Sequence, residues 1–206
     1  MTLSARLPGV RPVLAMDNLR TLAEMAGSKP EYFGLGFIQL KVSRDERIHF
    51  YTKDIDPILD DEEIHNHRYN FTSTVLKGQL TNVVYYWKEV EDSDWELAEV
   101  SCTPNDSREP RILLPNVEKV ELATFHTPAG SSYSVTDSMF HQVRWNGDLV
   151  TRLHRGPLLE EFAKVIRNKK EPYVCPFSTP MGEAKAWEWI EKITTSGTTR
   201  LPEIVY

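Results

Sequence analysis

The spacing of apolar residues near the start of the chain predicts one amphipathic helix. Between Val13 and Ala26 the apolar positions recur every three or four residues, as they do on the buried stripe of a helix. Gly27 is a typical C-terminal stop, and Pro30 follows shortly after it. We therefore predict a helix over residues 13–27.

Past residue 34 the pattern changes to short runs that are rich in β-branched and aromatic residues and separated by turn residues. Runs of this length at this spacing predict an all-β core, arranged as a sandwich or barrel, and disfavour a parallel sheet with crossover helices. The predicted strands are Phe37–Val42, Arg47–Tyr51, Glu63–His67, Asn70–Leu76, Leu80–Trp87, Trp95–Ser101, Val117–His126, Ser132–Val135, His141–Trp145 and Leu149–His154.

Two turn signals lie within this region. An Asn-Gly pair at residues 146–147 predicts a two-residue hairpin, because both central positions must tolerate positive φ. In the register that this hairpin sets, His141 lies directly opposite Arg152, and the two side chains share a face. A Lys-Gly pair at residues 77–78 gives a weaker signal for a second two-residue connection.

The apolar period becomes helical again near the end of the chain. Two apolar stripes, Leu158 to Ile166 and Met181 to Ile193, are separated by a proline-rich link and predict two helices within residues 156–196. The length is typical of one domain, so we predict a single domain over residues 1–206. Its β core occupies residues 34–154.

Composition narrows the class of protein. Hydrophobic residues are 40% and charged residues 26% of the chain, which is the balance of a soluble globular protein. The longest apolar stretch, Val83 to Trp87, is too short for a membrane-spanning helix. A net charge of −6 disfavours broad contact with nucleic acid or anionic lipid. We therefore expect no nucleic-acid partner and no membrane partner.

The N-terminal segment and the cysteines bear on the compartment. Residues 1–16 contain no continuous apolar stretch and do not resemble a signal peptide, which predicts a cytoplasmic protein. Cys102 and Cys175 are too few and too far apart for a disulfide framework or a cysteine metal site. We expect both to be plain thiols in a reducing compartment.

A pair of histidines, His65 and His67, carries the strongest chemical signal. Side chains alternate along a strand, so both imidazoles project to the same face and can reach one ion. A neutral imidazole nitrogen offers a lone pair at neutral pH, which makes histidine the commonest metal ligand. Two structural histidines at a strand end remain the alternative that so short a motif allows.

The sequence around this pair resembles the first motif of the cupin superfamily. His65 and His67 are followed, at the spacing of that motif, by the segment Val-Leu-x-Gly at residues 75–78. The resemblance implies a jelly-roll barrel, also called a double-stranded β-helix, over residues 34–154. It also implies a metal ion inside the mouth of that barrel.

One position departs from the cupin motif. Phe71 stands where cupins usually supply a carboxylate, and a phenyl ring cannot bind a metal in its place. The resemblance is therefore to those cupins that use three histidines, of which the thiol dioxygenases are the familiar enzymes, and to members without a metal. Thr72 offers no thiol for the cysteine-tyrosine crosslink that some thiol dioxygenases form.

The second cupin motif implies a third histidine late in the barrel. His141 fits that place, and His126 is the competing candidate. Arg152, expected on the same face as His141, would bind an acid group of a substrate, and the alternative is a rim arginine paired with a carboxylate. His49 and His154 have no motif around them and are expected to be ordinary histidines.

Two tyrosines are candidates for a catalytic role. Tyr69 shares the strand parity of His65 and His67, and Tyr133 lies in a neighbouring predicted strand. Either tyrosine could donate a hydrogen bond to a bound ligand, and core packing is the alternative role for each.

These residues leave three functions open. The first is a metal-dependent cupin enzyme, an iron dioxygenase acting on a small anionic substrate, for which nickel, manganese or zinc also stay open as the ion. The second is a metal-free cupin isomerase or epimerase with a histidine base and a tyrosine acid. The third is a non-catalytic ligand-binding module. The resemblance to cupins also implies a homodimer.

Overall fold

A computed structural model describes residues 15–55, 64–101, 108–173 and 181–196, and within these ranges the chain forms thirteen strands and two helices. In chain order they are α1 (Met16–Met25), β1 (Glu31–Phe33), β2 (Phe37–Lys41), β3 (Glu46–Tyr51), β4 (Ile64–His65), β5 (Phe71–Lys77), β6 (Gln79–Glu89), β7 (Trp95–Val100), β8 (Arg111–Leu114), β9 (Val117–Pro128), β10 (Ser132–Val135), β11 (Phe140–Trp145), β12 (Leu149–Arg155), β13 (Ala163–Asn168) and α2 (Glu183–Thr195).

The strands form two antiparallel sheets. The first sheet has the order β1-β2-β3-β12-β5-β10, and the second sheet has the order β8-β7-β13-β4-β11-β6-β9. Eight of the strands pair in a nested way: β3 with β12, β4 with β11, β5 with β10, and β6 with β9. Because β3, β5, β10 and β12 are in the first sheet and the other four are in the second, the chain crosses repeatedly between the sheets.

The prediction of a mainly β protein is confirmed. All ten predicted strands are present, and within the described residues most of their ends lie within two residues of the predicted ones. Helix α1 lies inside the predicted range 13–27 and buries Leu19 and Ala23 on one stripe. Strands β1, β8 and β13 were not predicted, and β1 and β8 are short strands of three and four residues.

The predicted Asn-Gly hairpin is wrong. Gly147 has a φ of 74°, as the turn requires, but β11 pairs with β4 and β6 while β12 pairs with β3 and β5. The turn therefore carries the chain from the second sheet to the first, and His141 does not lie opposite Arg152. Turn residues determine a local chain reversal and do not decide whether the flanking strands pair with each other.

The Lys-Gly connection at residues 77–78 is also a tight crossing between the sheets, from β5 to β6. Gly78 has a φ of 79°, and a Cβ atom at this position would collide with the backbone carbonyl of Asp148. The two crossings are therefore in contact with each other, which explains why this corner needs glycine.

The first of the two predicted C-terminal helices is wrong. Its apolar stripe covers residues 158–166, and the last residues of that stripe lie in β13, which pairs with β4 on one side and β7 on the other. A short apolar run fits the helical and the strand period equally well. Here Ala163 and Val165 are buried while Lys164 between them is not, and this alternation is typical of a strand. The second predicted helix is present as α2.

Both helices cover the outer face of the first sheet. Leu19 of α1 and Ile190 of α2 are fully buried against residues that β2 and β3 direct away from the second sheet. Burial of apolar surface contributes about 25 cal/mol per Å² and is the main stabilising contribution in a fold of this kind. The buried residues of this cluster are Leu19, Ala23, Tyr32, Ile38, Leu40, Ile48, Phe50, Ile55, Leu76, Val150, Ala186, Trp187, Ile190 and Ile193.

Two further sequence predictions concern the cysteines and membrane-spanning segments. Cys102 and Cys175 lie outside the described residues. Neither helix of the described chain is long and apolar enough to cross a membrane.

Candidate metal centre

The His-x-His segment is held in place by the residue between its two histidines. His65 ends β4, and the Asn66 side chain accepts a hydrogen bond from the backbone N–H of Lys164 at 2.6 Å and donates one to the backbone carbonyl of Asp137 at 2.7 Å. Asn66 is buried. One amide therefore anchors the segment to two distant parts of the chain and fixes the direction in which His65 and His67 project.

The third histidine reaches the same place from a neighbouring strand. In the register of β11 with β4, His141 lies directly opposite His65, so their side chains share a face. The imidazole centroids of His65, His67 and His141 are 4.8 to 5.0 Å apart in each pair. One ring nitrogen from each histidine lies within 4.8 Å of the others, which is compatible with a divalent metal site.

Asn82 determines the tautomer of His141. The Nδ1 atom of His141 lies 2.7 Å from the Oδ1 atom of Asn82, and both residues are buried. With the amide in this orientation, only a protonated Nδ1 can form the hydrogen bond. The Nε2 atom of His141 then carries a lone pair directed at the histidine cluster, and such support of a ligand by an outer residue is common in metal sites.

Burial keeps the imidazoles of His67 and His141 neutral. Burial, followed by repulsion from His65 and His141, lowers the pKa of His67 well below its usual value. Burial and His65 lower the pKa of His141 in the same direction. A neutral imidazole is the form that binds a metal, so His67 and His141 need no loss of a positive charge at neutral pH.

The distances fit an ion after a small adjustment. The Nε2 atoms of His67 and His141 are 2.7 Å apart, which is a hydrogen-bond distance. Two nitrogen ligands of one ion, each bound at ~2.1 Å, lie about 3.0 to 3.4 Å from each other. An increase of about 0.5 Å in the distance between these two nitrogens would therefore replace the hydrogen bond with coordination to the ion.

Phe71 closes one side of the cluster without adding a charge. Its ring lies edge-on to His67 at 4.7 Å and is 6.2 Å from His141. Three neutral imidazoles and a phenyl ring would leave the full double charge on a divalent ion. Such a site favours an anionic ligand in the remaining coordination positions.

The histidines line a cavity of about 340 Å³ between the two sheets. The volume lies at the small end of the range for ligand sites. The other residues that line it are Glu31, Phe33, Leu35, Phe37, Gln39, Lys41, Arg47, His49, Tyr51, Asn66, Arg68, Tyr69, Phe71, Val100, Ser101, Tyr133, Val143, Trp145, Leu153, Ala163, Val165 and Tyr173.

Both predicted tyrosines lie in this cavity. The Tyr69 ring is 5.8 Å from His67, and the Tyr133 ring lies edge-on to Phe71 at 6.2 Å. Burial raises the pKa of Tyr133 to about 12, against a smaller opposite effect of Ser73. The Tyr133 hydroxyl therefore keeps its proton at every physiological pH and can serve as a donor.

Arg152 lies outside the cavity, contrary to the prediction. Its Nη2 atom donates to both carboxylate oxygens of Glu46, at 2.7 and 2.8 Å, and it is not among the cavity-lining residues. The wrong hairpin register caused this error, because it placed β12 beside β11. The alternative of an arginine paired with a carboxylate describes Arg152 as it stands in the structure.

Two arginines line the cavity, Arg47 and Arg68, and the Arg68 guanidinium donates to the backbone carbonyl of Glu161 at 3.3 Å, whereas Arg47 bonds within the cavity. Arg47 donates a hydrogen bond to Gln39 at 3.1 Å, and its guanidinium lies 5.6 Å from the centre of the Tyr69 ring. No ion pair between the described residues includes Arg47, whereas Lys41 at the same cavity pairs with Glu31 at 3.1 Å. Arg47 is therefore the lining residue best suited to bind an anion.

His49 is not the ordinary histidine that the sequence suggested. It lines the cavity between Gln39, whose Oε1 lies 3.3 Å from its Nε2, and Tyr51, whose hydroxyl lies 3.4 Å from its Nδ1. Burial, followed by repulsion from Arg47, lowers the pKa of His49 to about 3. Polar residues 47, 49 and 51 alternate with buried apolar ones in β3, and this alternation is the signal that could have located both residues.

The remaining histidines lie away from the cluster. His126 is exposed on β9 and pairs with the Thr81 hydroxyl at 2.9 Å, so the structure brings His141 and not His126 to the pair His65 and His67. His154 is exposed near Glu46, 3.6 Å from its carboxylate.

Comparison with known proteins gives little that bears on this site. No protein-family model and no curated protein matches the chain. The X-ray structure of E. coli ycfD aligns with 89% of this chain and 44% of its own chain, at 10% sequence identity and a TM-score of 0.30. This chain therefore spans less than half of that structure, and similarity at this level does not establish a shared fold.

Proposed function

We propose that this protein is a metal-dependent enzyme on a cupin-like jelly roll, acting as an iron dioxygenase on a small anionic substrate. The nested strand pairing supports the fold, since a jelly roll of eight strands pairs the first with the last and the inner ones in turn. The observation that carries the function is the convergence of His65, His67 and His141 inside the cavity.

The donor set fits a divalent ion with open positions. His65, His67 and His141 would hold it, with Asn82 orienting His141. When bound, iron(II) in a site of neutral nitrogen ligands supplies the capacity to bring an anionic substrate and oxygen together. Nickel, manganese and zinc accept the same ligands.

The residues of the chain divide the remaining tasks. Arg47 binds the acid group of the substrate through its guanidinium, because the cavity offers this cation no carboxylate partner among the described residues. Tyr133 holds its proton and donates a hydrogen bond to the bound ligand. The apolar side chains of Phe71, Leu153 and Val165 limit water in the cavity.

Metal content of the protein purified from metal-replete cells tests the proposal. We expect about one ion per chain, lost in His67→Ala and retained in His126→Ala, which removes an exposed histidine of the same type. Asn82→Leu removes only the support of His141 and should weaken metal binding about 10- to 100-fold. Oxygen consumption with a panel of small carboxylic acids and thiols then tests the dioxygenase reaction.

Four outcomes contradict the proposal or part of it. A wild-type protein without a stoichiometric ion contradicts the metal site, as does a His67→Ala variant that keeps the ion. If proton exchange into a sugar nucleotide occurs without any ion, the metal-free isomerase replaces the dioxygenase. A metal-loaded protein that consumes no oxygen with any member of the panel contradicts the reaction while leaving the site.

A further inference from the structure

We infer that the substrate of this cavity is an aromatic acid, whose ring lies against an aromatic wall of the first sheet and β11. The aromatic wall is defined as Phe33, Phe37, Tyr51 and Trp145, all of which line the cavity. The inference deepens the proposed function and rests on it for the anionic group.

The aromatic wall is continuous. Phe33 and Phe37 are stacked at 4.8 Å with an angle of 9° between their planes. Phe37 lies 5.0 Å from Tyr51, and Tyr51 lies 4.9 Å from Trp145. Aromatic rings prefer offset-stacked or edge-on partners at such distances, so a planar ring in the cavity finds matching partners along this wall.

The wall and the acid-binding group lie on the same strands at a fixed spacing. Arg47, His49 and Tyr51 project to one face of β3, and His49 is 5.1 Å from Phe37. Two residues along a strand cover about 6.6 Å. Phe37 lies opposite Tyr51, four residues from Arg47, so a ring between His49 and Phe37 lies about 6.6 to 13 Å along β3 from the level of Arg47, and a carboxylate on a two-carbon chain spans the near end of that range.

The same order holds on the opposite strand. His141 and Trp145 share a face of β11 with Val143 between them, and all three line the cavity. The His141 end of the cavity is also the Arg47 end, because Tyr69 contacts both Arg47 and His67. Arg47 and the three histidines thus lie at one end of the cavity, and the aromatic wall leads to Trp145 at the other.

One buried donor in the wall has no acceptor within the described residues. The indole N–H of Trp145 is shielded from solvent and forms no hydrogen bond there. A buried donor without a partner costs free energy, and a ligand that brings an acceptor to it would recover that cost. A small aliphatic acid bound at Arg47 would reach neither this donor nor the aromatic wall.

Calorimetric titration of the full chain with two probes tests the inference. 3-Phenylpropionate and 3-cyclohexylpropionate have the same acid, the same linker and similar size, and differ in aromaticity. We expect 3-phenylpropionate to bind about three- to tenfold more tightly, from the extra attraction between aromatic rings. Trp145→Leu should reduce this preference, while Trp189→Leu, which removes a tryptophan from α2, should keep it.

Equal affinity of the wild-type protein for the two probes overturns the inference, and so does the absence of binding at millimolar concentration. This result does not depend on the folding of any variant. The titration is carried out with and without added zinc, so a protein that binds no metal can still show the aromatic preference. Conversely, a metal-loaded protein that treats both probes alike keeps the proposed function and loses the aromatic substrate.

Discussion

The two faces of the first sheet, built from the same strands, have opposite characters. On the helix-covered face, Ile38, Leu40, Ile48 and Phe50 are at most 1% exposed and pack against α1 and α2. On the cavity face, the residues that alternate with them are Phe37, Gln39, Lys41, Arg47, His49 and Tyr51, which line the cavity. Along β2 and β3, neighbouring residues therefore alternate between those that stabilise the fold and those that line the cavity.

This difference teaches where polar groups can be placed in a β fold. The residues of β2 and β3 that pack against α1 and α2 are apolar, so their contribution is burial alone. The cavity face contains side chains that satisfy one another, as Gln39 does for Arg47 and His49. We expect substitutions on the first face to change the free energy of unfolding, and substitutions on the second to change pH dependence and binding.

The largest effect should come from Phe50→Ala. The side chain is fully buried between the sheet and the helices, and loss of a buried phenyl ring should lower the free energy of unfolding by about 3–5 kcal/mol. Urea unfolding followed by circular dichroism measures the change. Phe125→Ala is the matched control, because that ring is 56% exposed and should cost less than about 1 kcal/mol. Equal losses in the two variants would abolish the distinction.

An intermediate effect should appear in the pH dependence of stability at His49. Its pKa is about 3 in the folded protein and about 6.5 when unfolded, so the unfolded chain binds this proton first as the pH falls. The contribution to stability is complete above pH 6.5 and is lost toward pH 3. Between pH 7 and pH 4.5 the wild type should lose about 2 kcal/mol more than His49→Gln.

Phe50→Leu serves as the control for this pH measurement. It perturbs the helix-covered face without removing a titratable group, so its free energy of unfolding should follow the wild-type pH dependence at a constant offset. A His49→Gln protein whose stability falls with pH as steeply as the wild type would show that His49 is not held neutral by the cavity.

The smallest effect should come from Arg152→Gln. The pair of Arg152 with Glu46 is partly exposed, and pairs of this kind contribute about 0.2–1 kcal/mol. Titration with 3-phenylpropionate should give the wild-type affinity in Arg152→Gln and a large loss in Arg47→Gln, whose side chain lies in the cavity. If Arg152→Gln weakens the binding of the acid as much as Arg47→Gln does, the assignment of the two arginines is reversed.

Local patterns predicted much of this fold. The strands from residue 37 to residue 155, except β8, were visible as β-branched and aromatic runs, because strand side chains alternate regardless of what packs on them. The strands with which β11 and β12 pair could not be predicted, since a turn sequence carries no information about which sheet each flanking strand joins. For the same reason the residues of β13 fitted a helix until their neighbours in the sheet were known.

A residue of the candidate site could be predicted only where neighbouring residues in the sequence or a known motif indicated it. His65 and His67 are one residue apart, and His141 follows from the resemblance to cupins. Arg47 and Asn82 come from separate strands and carry no motif, so only the folded register brings them to the cluster. The prediction of Arg152 placed the arginine on the wrong strand, since Arg47 of β3 lines the cavity and Arg152 of β12 does not.

The amide of Asn66 has a further consequence for anyone who wishes to redesign this protein. It ties the two neighbouring imidazoles to backbone atoms of Asp137 and Lys164, and neither of those atoms belongs to the cavity lining. The relative position of the two imidazoles is thus set by these hydrogen bonds of Asn66 rather than by the other residues that line the cavity. A library that varies those other residues can alter ligand choice while the hydrogen bonds of Asn66 keep the positions of the two imidazoles constant.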